Sequence, residues 1–140
     1  MRRFIFSLAV GSTLLIAAPS FAQYPAPWQQ TLPQGQAAVV RNWYLRFLNR
    51  EPDPQGAAGW TNALLQGKPP AQVLAGILGS QEYYLKGGGA PEGFIVVLYR
   101  DLFFRDPSNP ELVHWTRRLA LRGTTEVAYE LLIRHPGAWQ

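Results

Sequence analysis

Arg50, Asp53 and Trp60, and with them Arg105, Asp106 and Trp115, are the side chains of this 140-residue sequence best suited to hold a ligand. An arginine fork can grip a sugar acid, a carboxylate or a phosphate through two parallel N–H bonds. A tryptophan face can stack on a sugar ring or another flat ligand. Arg105 follows Arg50, and Trp115 follows Trp60, at a common step of 55 positions. The same residues also have plainer uses. An arginine repeated in the same turn of two copies behaves like a fastener, bonding helix-end carbonyls or the neighbouring Asp53 or Asp106. Trp60 shares a helix face with Ala57 and Leu64, and Trp115 with Leu112 and Leu119, which places both in a core. Asp53 and Asp106 carry oxygens that suit calcium, but nine acids spread along the chain give no clustered set, and capping accounts better for both.

The rest of the polar inventory is thin. His114 and His135 have no partner at metal-binding spacing. Ser108, Glu111 and His114 stand close in sequence, yet nothing supplies a strained nucleophile turn or an oxyanion pocket. The reading is therefore no enzyme, no cofactor and no metal. Arg117, Arg118, Arg122 and Arg134 make the C-terminal third basic. Arg118 and Arg122, one helical turn apart, can meet an anionic polysaccharide or a lipid headgroup, or simply face water.

The elements that position these residues are helices. Val40, Trp43, Tyr44, Phe47 and Leu48 fall at helical spacing, and Ile95, Leu98, Tyr99, Leu102 and Phe103 repeat it. An arginine turn, Arg50-Glu51-Pro52-Asp53-Pro54 and then Arg105-Asp106-Pro107-Ser108-Asn109-Pro110, ends each helix, because proline disfavours helical geometry in the residue before it. Asp53-Pro54 reads as an N-cap with proline at the first helical position, and Asn109-Pro110-Glu111 as its counterpart. Gly67 and Gly123 sit where a C-cap uses left-handed geometry. A third helix follows in each half, with Val73, Leu74, Ile77 and Leu78 apolar in the first and Val127, Leu131, Leu132 and Ile133 in the second. Pro70 opens the one and Thr124 caps the other. No period-two strand pattern occurs. The expectation is an all-α fold of two tandem three-helix repeat units packed as one small helical domain, since units this small bury too little surface alone.

At the N-terminus, Arg2 and Arg3 precede the apolar run Phe4 to Ala18, and Ser20-Phe21-Ala22 gives a small-x-small cleavage pattern. The run is shorter than the roughly 20 apolar residues that cross a bilayer, and Pro19 closes it. Residues 1–22 thus read as a secretory signal, leaving no stable membrane span. Its removal takes the formal charge from +4 to +2, and with it the case for nucleic-acid binding. Residues 23–34, rich in proline and glutamine, form a tether in which Tyr24 and Trp28 can dock on the body or on a partner. The halves are then residues 35–85 and 94–140, with a glycine-rich linker at 86–93. With no cysteine, the exported chain must hold itself together by packing.

The order aromatic, arginine, Pro-Asp, tryptophan and then Ser-x-Glu-Tyr appears here as Tyr44, Arg50, Pro52-Asp53, Trp60 and Ser80-Gln81-Glu82-Tyr83. It resembles the family called domain of unknown function 4214, in two tandem copies spanning roughly Val39 to Trp139. The resemblance implies a helical, exported protein with an interaction role and names no ligand. The family often places glycine before the arginine. Asn49 can replace it because asparagine tolerates left-handed geometry, whereas Phe104 cannot do so easily. In the second half, Arg134-His135-Pro136-Gly137 stands in place of Ser-x-Glu-Tyr. The functional expectation is an exported, non-enzymatic interaction or scaffold protein of the periplasm or extracellular space. Its partner would be a protein or an anionic glycan of the cell envelope. The competing reading is an accessory protein that binds or processes envelope glycan through a groove lined by Arg50, Asp53 and Trp60.

Overall fold

The apolar stripes become helices where their spacing predicts. The computed structural model describes residues 34–139, so the expected signal and the tether up to residue 33 lie outside the described residues. Helix α1 (Gln34–Trp43) runs on into one wide π-type turn, Tyr44–Leu48, and Val40, Trp43, Tyr44 and Phe47 face inward from it. Helix α2 (Pro54–Leu65) begins under Asp53, whose carboxylate accepts the Gly56 amide at 2.8 Å, with Pro54 at the first position. Helices α3 (Pro70–Leu78) and α4 (Gln81–Lys86) complete the first half. The second half is α5 (Pro91–Phe103), α6 (Asn109–Arg122) and α7 (Thr124–Arg134), closed by one 3₁₀ turn, Pro136–Ala138. All regular structure among the described residues is helical.

Packing joins the halves. The broadest helix contact is α3 on α7, one helix from each half, while α1 rests on α2 and α5 on α6. One continuous cluster of buried side chains extends from Val40 and Phe47 through Leu74, Ile77, Phe94 and Leu98 to Leu131 and Leu132. Each such residue contributes roughly 1.5–3 kcal/mol by leaving water. A hydrogen bond crosses between the halves as well, from the Thr124 hydroxyl to the Gly79 carbonyl at 2.7 Å.

The local expectations need four corrections. Ser108, and not Asn109, is the N-cap of α6, in a reciprocal box in which Ser108 and Glu111 satisfy each other's backbone N–H. Gly123, and not Thr124, precedes α7; its φ of 84° is positive, but its ψ of 172° is extended, so it is no left-handed C-cap. Gly67 does have the expected positive φ, 82°. Ile133 is 51% exposed and leaves the core stripe to Val127, Leu131 and Leu132. Phe104 does adopt left-handed geometry, at φ 57° and ψ 30°, almost the conformation of Asn49 at φ 55° and ψ 32°. The glycine-rich stretch, for its part, is a short, tight connection: α4 runs to Lys86 and α5 starts at Pro91. There the backbones of Gly87 and Gly93 approach so closely that a Cβ on Gly93 would lie 1.8 Å from the Gly87 carbonyl oxygen.

Candidate functional site

Asn49, left-handed at the end of the π-type turn, reverses the chain and lays Arg50 back over the helix it has just left. The Arg50 guanidinium carbon sits 5.1 Å from the centre of the Tyr44 ring. Its Nε and Nη2 donate to the two Glu82 carboxylate oxygens, each at 2.6 Å, and Nη1 donates to the Glu51 carbonyl at 2.9 Å. Beneath it, the Tyr44 hydroxyl accepts the Trp60 indole N–H at 3.1 Å.

Phe104 makes the same reversal in the second half. Arg105 lies 5.1 Å over the Tyr99 ring, and its Nη1 and Nη2 donate to the Glu111 carboxylate at 2.8 and 2.7 Å. Nη1 also donates to the Asp106 carbonyl at 3.1 Å, and Tyr99 accepts the Trp115 indole N–H at 2.8 Å. The arginine thus ties its turn down, with Asp53 the one expected partner in reach and the main bonds made elsewhere. Asp53 stands 3.7 Å from Arg50 as a secondary charge, and Asp106 pairs with Arg100 at 2.5 Å. Neither fork bonds the helix-end carbonyls; each takes a glutamate and the carbonyl of the next residue.

The electrostatics follow the bonds. Hydrogen bonds from Arg50 hold the Glu82 carboxyl below its ordinary range, and those from Arg105, helped by Ser108, hold Glu111 well below it. Burial pushes the hydroxyls of Tyr44 and Tyr99 up. The carboxylates stay ionised and the phenols protonated, so neither cluster presents a group that exchanges a proton near neutrality.

Ser80-Gln81-Glu82-Tyr83 acquires a structural account. Ser80 caps α4 by accepting the Tyr83 amide at 3.3 Å, and Glu82 takes the Arg50 fork. The fully buried Tyr83 donates its hydroxyl to Asp101 at 2.8 Å, and its proton is held by burial and by that neighbouring charge. Lys86 meets the same Asp101 oxygen at 2.8 Å and the Phe47 carbonyl at 2.9 Å. In the second half Gly137 and Ala138 stand at the positions of Glu82 and Tyr83, so Glu111 takes over as the arginine's partner.

The proposed ligand residues do not all converge. Asp53 and Trp60 share an open cleft of about 520 Å³ with Gln55, Gly56, Ala63 and Lys68. Arg50 is not among the residues lining it. Trp60 is half-buried, whereas Trp115 is 5% exposed and turned into the core, so Arg105, Asp106 and Trp115 form no common open surface. The basic C-terminal surface divides. Arg118 is paired with Glu130, and Arg134 lies 3.8 Å from the same carboxylate and over the Trp115 ring, leaving Arg117 and Arg122 exposed. His114 packs edge-on against Trp115 and His135 against Phe103.

Glu82, Glu111, Tyr44, Tyr99 and Asp101 were missed as site residues. Ser108-x-x-Glu111 was a readable capping signature. The remaining pairs depend on tertiary packing. The family described as a domain of unknown function (DUF4214) matches residues 33–87, the stretch from α1 through α4 that holds Arg50, Trp60 and Glu82. No curated protein and no solved structure matches the chain.

Proposed function

We propose that the protein is an exported, non-enzymatic helical module that works by contact, built from two tandem units that share one three-helix design, the first carrying α4 in addition. One observation carries this reading. Both arginine forks, the side chains best suited to seize an anion, are spent on internal carboxylates, each above a tyrosine that holds a tryptophan N–H. Pairs of contacts recurring 55 positions apart, Tyr44–Trp60 with Tyr99–Trp115 and Arg50 on Tyr44 with Arg105 on Tyr99, support the duplication. Export rests on Arg2, Arg3, the apolar run and Ser20-Phe21-Ala22. No helix among the described residues is long and apolar enough to cross a membrane. The partner is a protein or an anionic glycan of the envelope, and Arg117 and Arg122 offer the accessible charge.

Two measurements test it. N-terminal sequencing of protein recovered from outside the cytoplasm is expected to read from Gln23; an intact Met1 would end the export argument. Arg50→Ala and Arg105→Ala are expected to lower the melting temperature without changing binding to an array of envelope glycans. An unchanged melt with lost glycan binding would assign the forks to a ligand.

The cleft beside Asp53 and Trp60 favours a second reading, a glycan-binding or glycan-processing accessory. Half an indole face, a carboxylate, the Gln55 amide and the Lys68 ammonium are a set that suits a sugar. Gln55→Ala with Lys68→Glu should abolish glycan binding if this reading is right, and leave the array signal unchanged if it is not.

A further inference from the structure

The two tryptophans related by the 55-position step stand in different company. Trp115 is covered. The Arg134 guanidinium carbon lies 5.5 Å from the centre of its ring, and His114 packs edge-on with ring centres 5.0 Å apart. Arg118, on the same helix, pairs with Glu130. The counterparts of His114, Arg118 and Arg134 are Gly59, Ala63 and Gly79. None of these carries more than a methyl group, and Trp60 opens onto the cleft of about 520 Å³ that it shares with Asp53, Gln55 and Lys68.

Packing explains one of the two glycines but not the other. A Cβ on Gly79 would collide with Thr125 of α7. At Gly59 the corresponding point has nothing within 4 Å, and its φ is not positive. A glycine inside an exposed stretch of helix, free of any such constraint, weakens that helix. What it does provide lies on the cleft side, where it sets no side chain beside the indole. The ring itself is held at both ends. Its N–H donates to the Tyr44 hydroxyl at 3.1 Å, and its benzene edge rests on Gly76, where a Cβ would come within 2.6 Å of Cη2. An aromatic fixed in this way receives a ligand at little cost in ordering.

The cleft's charges narrow the ligand. Asp53 and Lys68 line it with one charge of each sign, and the Arg50 fork that would favour a sugar acid does not line it. Asp53 Oδ1 takes the Gly56 amide, while Oδ2, 3.7 Å from Arg50, keeps room for a hydroxyl donor. We propose that this cleft takes an uncharged pyranose ring stacked on Trp60, that Gly59 is the residue that admits it, and that His114 and Arg134 close the second half to the same ligand. The apolar C–H face of the sugar meets the indole, and its rim hydroxyls meet the Asp53 carboxylate, the Gln55 amide and the Lys68 ammonium. The inference rests on the glycan reading of this cleft and specifies its ligand.

The test uses protein expressed from the full 140-residue sequence on an array of uncharged and uronic-acid oligosaccharides, followed by calorimetry with the uncharged sugar bound best. Gly59→His, which copies the second half, is expected to weaken that binding at least about tenfold, with a melting temperature equal to or above the parent's. Gly59→Gln should do the same and serves where histidine disturbs the helix. Sugar binding that Gln55→Ala with Lys68→Glu abolishes, but that both Gly59 variants leave intact, overturns this inference and spares the glycan reading. Binding confined to the uronic acids does likewise. A parent protein that retains no sugar on the array overturns both.

Discussion

The phenol of Tyr99 holds two distant parts of the second turn together, taking the Trp115 indole N–H at its edge and the Arg105 guanidinium on its face. Trp115 is thereby both buried and hydrogen-bonded. Trp115→Ala is expected to cost about 3–5 kcal/mol, and the half-buried Trp60→Ala less, read from urea unfolding of the two variants. Equal losses would count against the difference in burial. Phe104 stands the other way round: 83% exposed and left-handed at φ 57°, it gives little back for its backbone strain. Phe104→Asn should therefore raise stability by about 1 kcal/mol, while a lower melting temperature would show that the ring has a packing role. Glu82 and Glu111 make stability depend on acid. A carboxyl depressed by folding adds stability that is complete above the unfolded value near 4.3 and is lost as pH falls through the folded one. The urea midpoint should hold from neutrality down to about pH 5 and then decline, less steeply in Glu111→Gln than in the parent. At this scale the sequence was half legible. Arg50, Arg105 and the tryptophans announce themselves by type and step. Their glutamates do not, because Glu82 lies 32 positions from its arginine and Glu111 only 6 from its own. The left-handed Phe104 was unreadable, since its side chain opposes the conformation that the turn imposes.

At the level of helices, spacing and capping explain most of what forms. Asp53, Ser80 and Ser108 each accept an amide of the first turn they precede, and proline opens α2, α3 and α5 where its missing N–H costs nothing. What spacing does not reveal is how closely two helices approach. Gly93 looks like a weak point in α5, but it is there because the Gly87 carbonyl occupies the space a methyl group would need. Gly59, in α2, has nothing within 4 Å of the corresponding point. Alanine should separate the two: Gly93→Ala is expected to destabilise by about 1–3 kcal/mol, and Gly59→Ala to stabilise by about 0.4–1 kcal/mol. Paired thermal melts decide it, and similar shifts for both would mean that α4 and α5 part at little cost. The glycine run between the halves was legible as a connection, but not as a close helix contact, for the same reason. A linker and a close helix contact both select glycine, and only the neighbouring backbone distinguishes them.

For the molecule as a whole, one core serves both halves, with α3 against α7 at its centre. Unfolding should therefore be a single transition, with far-ultraviolet circular dichroism and tryptophan fluorescence coinciding, and a fragment of residues 34–86 alone should not fold. Two separated transitions would show that each half has a core of its own. The helical spacing of the apolar residues made the all-α architecture readable from the sequence, whereas the joining of the halves through Lys86, Asp101 and Thr124 was not, because those bonds link positions 15 to 45 apart that obey no local period. The contact between Trp139 and Trp43 closes the set. The first and last described helical segments are neighbours, so the packing fixes which half touches which without fixing their order of translation. A gene permuted to begin with α5 and bridged briefly back to α1 meets the same steric and polar demands as the present arrangement.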